Sequence, residues 1–136
     1  MIKYFVLYLL LCSFKTGEVT IKEVKEEIIN QGIRHSDVVI KQAILEVGWI
    51  NKTHFKSEIH NNLFGFIFKG KEIQFNHWKE SITYYKKWQD KHYPGRINYY
   101  DWLKCMWYQN GNCISYANDP EYIDKLKSIL YNLNSK

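Results

Sequence analysis

The chain is short of the residues that build linkers, metal sites and membrane spans. Only two prolines occur in 136 residues, and no low-complexity segment or internal repeat is visible. The five histidines (His35, His54, His60, His77 and His92) are scattered, and no His or Cys cluster has zinc spacing, so neither a metal nor another cofactor is expected. There is no Lys/Arg block either. The net charge of +5 is spread along the chain, which suits an anionic surface but is a poor signature of a nucleic-acid partner. What is present is apolar and aromatic: 46% of residues are hydrophobic and 17% aromatic, enough for one globular domain with a core and against disorder.

The first residues read as an export signal. Met1-Ile2-Lys3 is a short basic start, Tyr4 to Leu11 is uninterruptedly apolar, and polar sequence begins at Lys15. That run is too short for the roughly 20 residues of helix that a bilayer needs, and no later segment could span one. Residues 1–17 are therefore assigned to a signal peptide and 18–136 to the domain. Two processing routes are open: cleavage after Ser13, which would free a secreted domain, or lipidation of Cys12 in an imperfect lipobox. Simple secretion is the favoured route. Either way Cys105 and Cys113 remain as an even pair in an oxidising compartment and are expected to form a disulfide.

Along the chain, Ile21, Val24, Ile28 and Ile29 form a helical stripe closed by Gln31-Gly32. Ser36-Asp37 opens a second helix that stops near Gly48. Two short aromatic runs around Lys69-Gly70-Lys71 predict a small β-hairpin. Trp78, Ile82, Tyr85 and Trp88 then recur at helical spacing, and Tyr93-Pro94-Gly95 breaks that helix. A further helix is predicted from about Tyr99 to Trp107, followed by a loop from Gln109 to Asn118. Asp119-Pro120 opens a last helix striped by Ile123, Leu126, Ile129, Leu130 and Leu133. The fold class is mainly α with one small hairpin.

The stretch with chemistry in it is Gln42-Ala43-Ile44-Leu45-Glu46-Val47-Gly48-Trp49. At about 100° per residue, Gln42, Glu46 and Trp49 share a strip bordered by Val39 and Ala43, while Lys41 points away. A carboxyl among apolar neighbours resists ionisation, as an acid catalyst working near neutral pH must. A glutamate at the rim of a core, paired with a base elsewhere, would look the same in isolation.

Three other pieces supply a context. Asn61-Asn62-Leu63-Phe64-Gly65, Phe75-Asn76-His77-Trp78-Lys79-Glu80-Ser81 and Ser115-Tyr116-Ala117-Asn118-Asp119-Pro120-Glu121-Tyr122 follow the Glu46 helix in that order. Together the four resemble the bacterial peptidoglycan endo-β-N-acetylglucosaminidases, the glycoside hydrolase family 73-like glucosaminidase domains, over roughly residues 20 to 133. The resemblance implies a compact lysozyme-like helical domain whose hairpin lobe borders a substrate groove. It also implies cleavage of the β-1,4 bond after N-acetylglucosamine in peptidoglycan glycan strands by an exported monomer, whether periplasmic, in the cell envelope or secreted. Glu46 matches the catalytic acid and Tyr116 a tyrosine that supports the reaction centre. A second carboxylate would be Glu72, in the hairpin, or Glu58, just before it, and the substrate's own acetamido group could replace either. Trp49, Phe64 and Trp78 are candidate sugar-stacking faces, each with packing in the core as the competing role. Asn62 is a candidate polar contact, and Gly65 a point of close backbone approach. Competing functions are a lytic transglycosylase or muramidase on the same glycan, and an inactive wall-binding module. The link between Met106 and Asn112 looks longer than the family's usual one, which would change the end of the groove.

Overall fold

The computed structural model describes residues 19–47 and 61–130. The signal segment, Cys12, Trp49, Glu58 and Leu133 lie outside them. Among the described residues, five helices and two hairpins follow one another: α1 (Ile21–Asn30), α2 (Ser36–Val47), β1 (Ile67–Phe68) with β2 (Lys71–Glu72), α3 (Trp78–His92), α4 (Tyr99–Lys104), β3 (Trp107–Gln109) with β4 (Asn112–Ile114), and α5 (Tyr122–Ser128). The class is mainly α, as the periodicity indicates.

Helix α1 starts in a capping box. Thr20 Oγ1 accepts from the Glu23 amide at 3.1 Å, and the Glu23 carboxylate takes the Thr20 amide at 2.8 Å, so two orphan donors are satisfied reciprocally. Its buried face is Ile21, Val24 and Ile28; Ile29, expected on that stripe, is exposed because one more residue rotates it about 100° off the line. Helix α2 is apolar on nearly all sides, with Val38, Val39, Ile40, Gln42, Ala43 and Ile44 buried, and it packs between α1 and α5 as the centre of the domain. On α3, Ile82 and Tyr85 enter the core, whereas Trp78 and Trp88 are only half-buried. Leu130 stands exposed beyond the end of α5, which stops at Ser128 with Ile129 as its cap.

The region after α4 departs from expectation. The helix ends at Lys104 rather than Trp107, and the chain turns into a second hairpin where a loop was predicted. The reason is local: Asn110 and Gly111 both take positive φ (52° and 77°), the geometry of the tight hairpin turn that an Asn-Gly pair favours. Cys105 caps α4 and is bonded to Cys113 on β4, with a Cα separation of 5.4 Å. Closing a loop of this size stabilises the fold by roughly 2.5 kcal/mol on chain-entropy reasoning. The Met106 amide donates to the Ile114 carbonyl (2.8 Å), which extends the ladder at the hairpin base, and the Tyr116 amide donates to the Leu103 carbonyl (2.9 Å), which fastens that base to α4. No helix among the described residues is long and apolar enough to cross a membrane.

Candidate active site

Glu46 lies in the last turn of α2, at the edge of a groove of about 370 Å³. One wall is the first hairpin, through Phe66 and Ile67; Trp88 of α3, Met106 and Tyr116 line the rest. The carboxylate stays open to solvent, as a group that must meet a substrate has to. Burial of its surroundings nevertheless raises its pKa, and the negative charge of Glu72 raises it further. No hydrogen bond or ion pair ties Glu46 to another of the described residues.

The backbone reaches Glu46 at Gly65. That residue has φ +67°, and a Cβ built there would stand 2.8 Å from the carboxylate Oε2. Only glycine combines this backbone conformation with so close an approach. The residues before it explain how the loop is held. Asn61 donates to the Phe75 carbonyl at 2.9 Å. Asn62, 1% exposed, donates to the Phe66 and Ile73 carbonyls (2.8 and 3.1 Å) and accepts from the Phe66 amide (3.0 Å). Leu63 is buried and its amide donates to Ser81 Oγ. The Phe64 ring is buried against Tyr85, with centroids 4.6 Å apart.

These contacts correct two sequence assignments. The amide of Asn62 is consumed inside the hairpin, and the ring of Phe64 is in the core, so neither side chain presents itself to a ligand; both act by shaping the approach of Gly65. Trp78 is also outside the groove, half-buried at the start of α3 and stacked on His77. Phe64 borders the groove too, but at 1% exposure; the half-buried aromatic residues lining it are Phe66, Trp88 and Tyr116. Trp88 was legible only as the end of the α3 aromatic stripe, and Met106 had no signal at all.

Tyr116 joins the pieces. Its hydroxyl donates to the Phe64 carbonyl at 2.7 Å, one residue before Gly65, and its ring stacks on Tyr122 at 5.6 Å. Burial holds its pKa well above the ordinary tyrosine value, with the charges of Tyr122 and Glu46 adding to the effect, so the hydroxyl keeps its proton. Behind the groove, Gln42 accepts from Tyr85 (2.6 Å) and donates to Tyr122 (3.4 Å). Tyr85 in turn bonds Tyr99, which accepts from Gln89 at 3.1 Å. This buried network pins α2, one turn before Glu46, to α3, α4 and α5. It satisfies groups that would be costly to bury alone.

Glu72 stands across the β1–β2 ladder from Ile67, which lines the groove. Residues directly opposite on antiparallel strands share a face, so Glu72 belongs to the groove side of the hairpin.

A mainly α domain with an acid of raised pKa in an aromatic-lined cleft has the form of a glycoside hydrolase. The comparison with protein families agrees: residues 21–135 match the glucosaminidase family, described as mannosyl-glycoprotein endo-beta-N-acetylglucosaminidase. The chain belongs to that family, which makes it a lysozyme-like glycoside hydrolase domain and supports peptidoglycan as its substrate. No curated protein and no solved structure matches it.

Proposed function

We propose that the protein cleaves the β-1,4 bond following N-acetylglucosamine in peptidoglycan glycan strands, as an exported enzyme, with Glu46 as the general acid. The observation carrying this reading is the raised pKa of Glu46 at the point where Gly65 closes on it. In the reaction the bond from the sugar's anomeric carbon to the leaving oxygen breaks, and that oxygen takes the proton of Glu46. The oxocarbenium-like centre is met on its other side by Glu72, by Glu58 or by the substrate's acetamido group. Water then adds hydroxide to the anomeric carbon, and its proton restores Glu46. Mass spectrometry of the fragments released from purified peptidoglycan tests the bond. N-acetylglucosamine at the new reducing end supports the proposal; N-acetylmuramic acid or its anhydro form there would assign a muramidase or lytic transglycosylase. A protein that pellets with the wall and releases nothing would be a binding module.

Glu72→Gln separates two roles. Removing its negative charge lowers the pKa of Glu46, and the working form of Glu46 is the protonated one, so the alkaline limb of the pH–rate profile moves to lower pH. If Glu72 also faces the reacting carbon, the plateau falls by ~10²-fold or more as well. A plateau that is unchanged in both Glu72→Gln and Glu58→Gln assigns that step to the acetamido group.

Tyr116→Phe is expected to lower kcat by about tenfold with little change in KM, since the hydroxyl it removes holds the Phe64 carbonyl, and with it the approach of Gly65 that positions Glu46. Initial rates against substrate concentration decide it. Normal turnover with weakened binding would make Tyr116 a ground-state contact only.

A further inference from the structure

The run of aromatic rings does not end at Trp88. His92, one turn further along α3, has its ring 6.1 Å from that of Trp88, and the ring of Trp107 on the second hairpin lies 4.9 Å beyond His92, inclined by 31°. The backbone gives a second line of continuity, because Met106, which lines the groove, immediately precedes Trp107. We infer that this aromatic run is an extension of the groove, and that Trp107, with Gln109 and Asn112, forms an additional subsite for a sugar ring of the bound glycan strand.

The strand register supports the composition of that subsite. Trp107 pairs with Ile114, Tyr108 with Cys113 and Gln109 with Asn112. Alternation puts Trp107 and Gln109 on one face, together with their cross-strand partners, while Tyr108 and Cys113 take the other. One face of the hairpin therefore offers an indole beside two carboxamides. An indole meets the C–H face of a pyranose, and carboxamides can both donate to and accept from its hydroxyl and acetamido groups. Trp107 keeps 36% of its surface accessible even with the tilted His92 ring beside it, and Gln109 and Asn112 are exposed.

The platform is also held in place before any ligand arrives. The Cys105–Cys113 bond and the hydrogen bond from the Tyr116 amide to the Leu103 carbonyl anchor it to α4, so little ordering is lost on binding. Burial, then the charge of Lys91, lowers the pKa of His92, which keeps the ring between the two tryptophans neutral.

This inference rests on the glycan-cleaving reading above, and its test keeps the two apart. Peptide-free glycan strands, fractionated into tetrasaccharides and dodecasaccharides, and dodecasaccharides still carrying stem peptides serve as substrates for the wild type, Trp107→Ala, Trp107→Phe, Gln109→Ala/Asn112→Ala and, as a control on the opposite face, Tyr108→Ala. The expected result is a loss of about tenfold in kcat/KM on the long strands for Trp107→Ala, partial rescue by Trp107→Phe, and short-strand activity within a few-fold of wild type. The double variant should fall in the same direction, and Tyr108→Ala should not. Equal losses on both lengths, or none on either, would overturn the subsite. So would a loss seen only on strands still carrying stem peptides, since the platform would then read the peptide. If the wild type cleaves no glycan, the function proposed above fails, and equilibrium binding of the same dodecasaccharide decides the subsite. Weaker binding by Trp107→Ala supports it; equal binding, or no binding by the wild type, rejects it.

Discussion

Glu46→Gln should reduce release of soluble fragments from peptidoglycan by at least ~10²-fold while leaving wall binding and the fold intact. The amide keeps the shape of the side chain beside Gly65 and has no proton to give to a leaving oxygen. Stability offers a second readout with a definite sign. The folded-state pKa of Glu46 is raised, chiefly by burial and further by Glu72, so ionisation favours the unfolded chain. The resulting destabilisation is absent at pH below the unfolded value. It grows as pH rises and is complete above the folded value. The glutamine variant lacks it. Its melting temperature relative to wild type should therefore improve on going from acidic to neutral pH, the exchange of stability for activity expected of a group held in a working protonation state. Turbidity loss of a wall suspension, with thermal melts at both pH values, measures the two effects. Wall digestion within a few-fold of wild type would remove Glu46 from the mechanism.

The direction of the Glu46 pKa shift was readable from its own helix, with apolar neighbours at helical spacing and Lys41 turned away, although residues of other elements complete the burial that causes it. Its second cause was not, since Glu72 comes near only when the β1–β2 hairpin folds over. The roles of Asn62 and Phe64 were misread for a related reason. A polar residue and an aromatic beside a glycine look like ligand contacts in one dimension, but the hairpin consumes the amide of Asn62 and the core takes the ring of Phe64. Both still serve the site, through the backbone they fix. The second hairpin had a readable signal in Asn110-Gly111, masked by its polar surroundings, which read as a loop. The pairing of Cys105 with Cys113 is present in the structure as the cysteine count indicates. For Trp88 the helical period placed the residue on the right stripe but could not say that the stripe's end emerges into a cleft. The export segment, Trp49 and Glu58 lie outside the described residues, and their roles rest on sequence alone.

Gly65→Ala is expected to disable the enzyme by moving Glu46 rather than by unfolding the domain. Two effects arise at once. An alanine at φ +67° is strained by roughly 1–2 kcal/mol, the ordinary cost of a left-handed backbone for a residue with a Cβ. That Cβ would also stand 2.8 Å from Glu46 Oε2 and 3.3 Å from its Cδ, so something must shift. The flexible carboxylate yields more easily than the loop, which Asn61, Asn62 and the Phe64–Tyr116 hydrogen bond hold in place. The acid is then displaced from the position where the leaving oxygen would meet it, and a misplacement of about 1 Å can lower rates ~10²-fold. Gly70→Ala separates the two effects. Gly70 sits in the same hairpin at φ +75°, with nothing within 4 Å of the added Cβ, so it carries similar strain without the collision. Both variants should melt a few degrees below wild type, about what 1–2 kcal/mol does to a domain of this size. Only Gly65→Ala should lose digestion of the wall. If Gly70→Ala loses as much, the hairpin's backbone strain is responsible; if Gly65→Ala digests normally, the contact with Glu46 has no part in placing the acid.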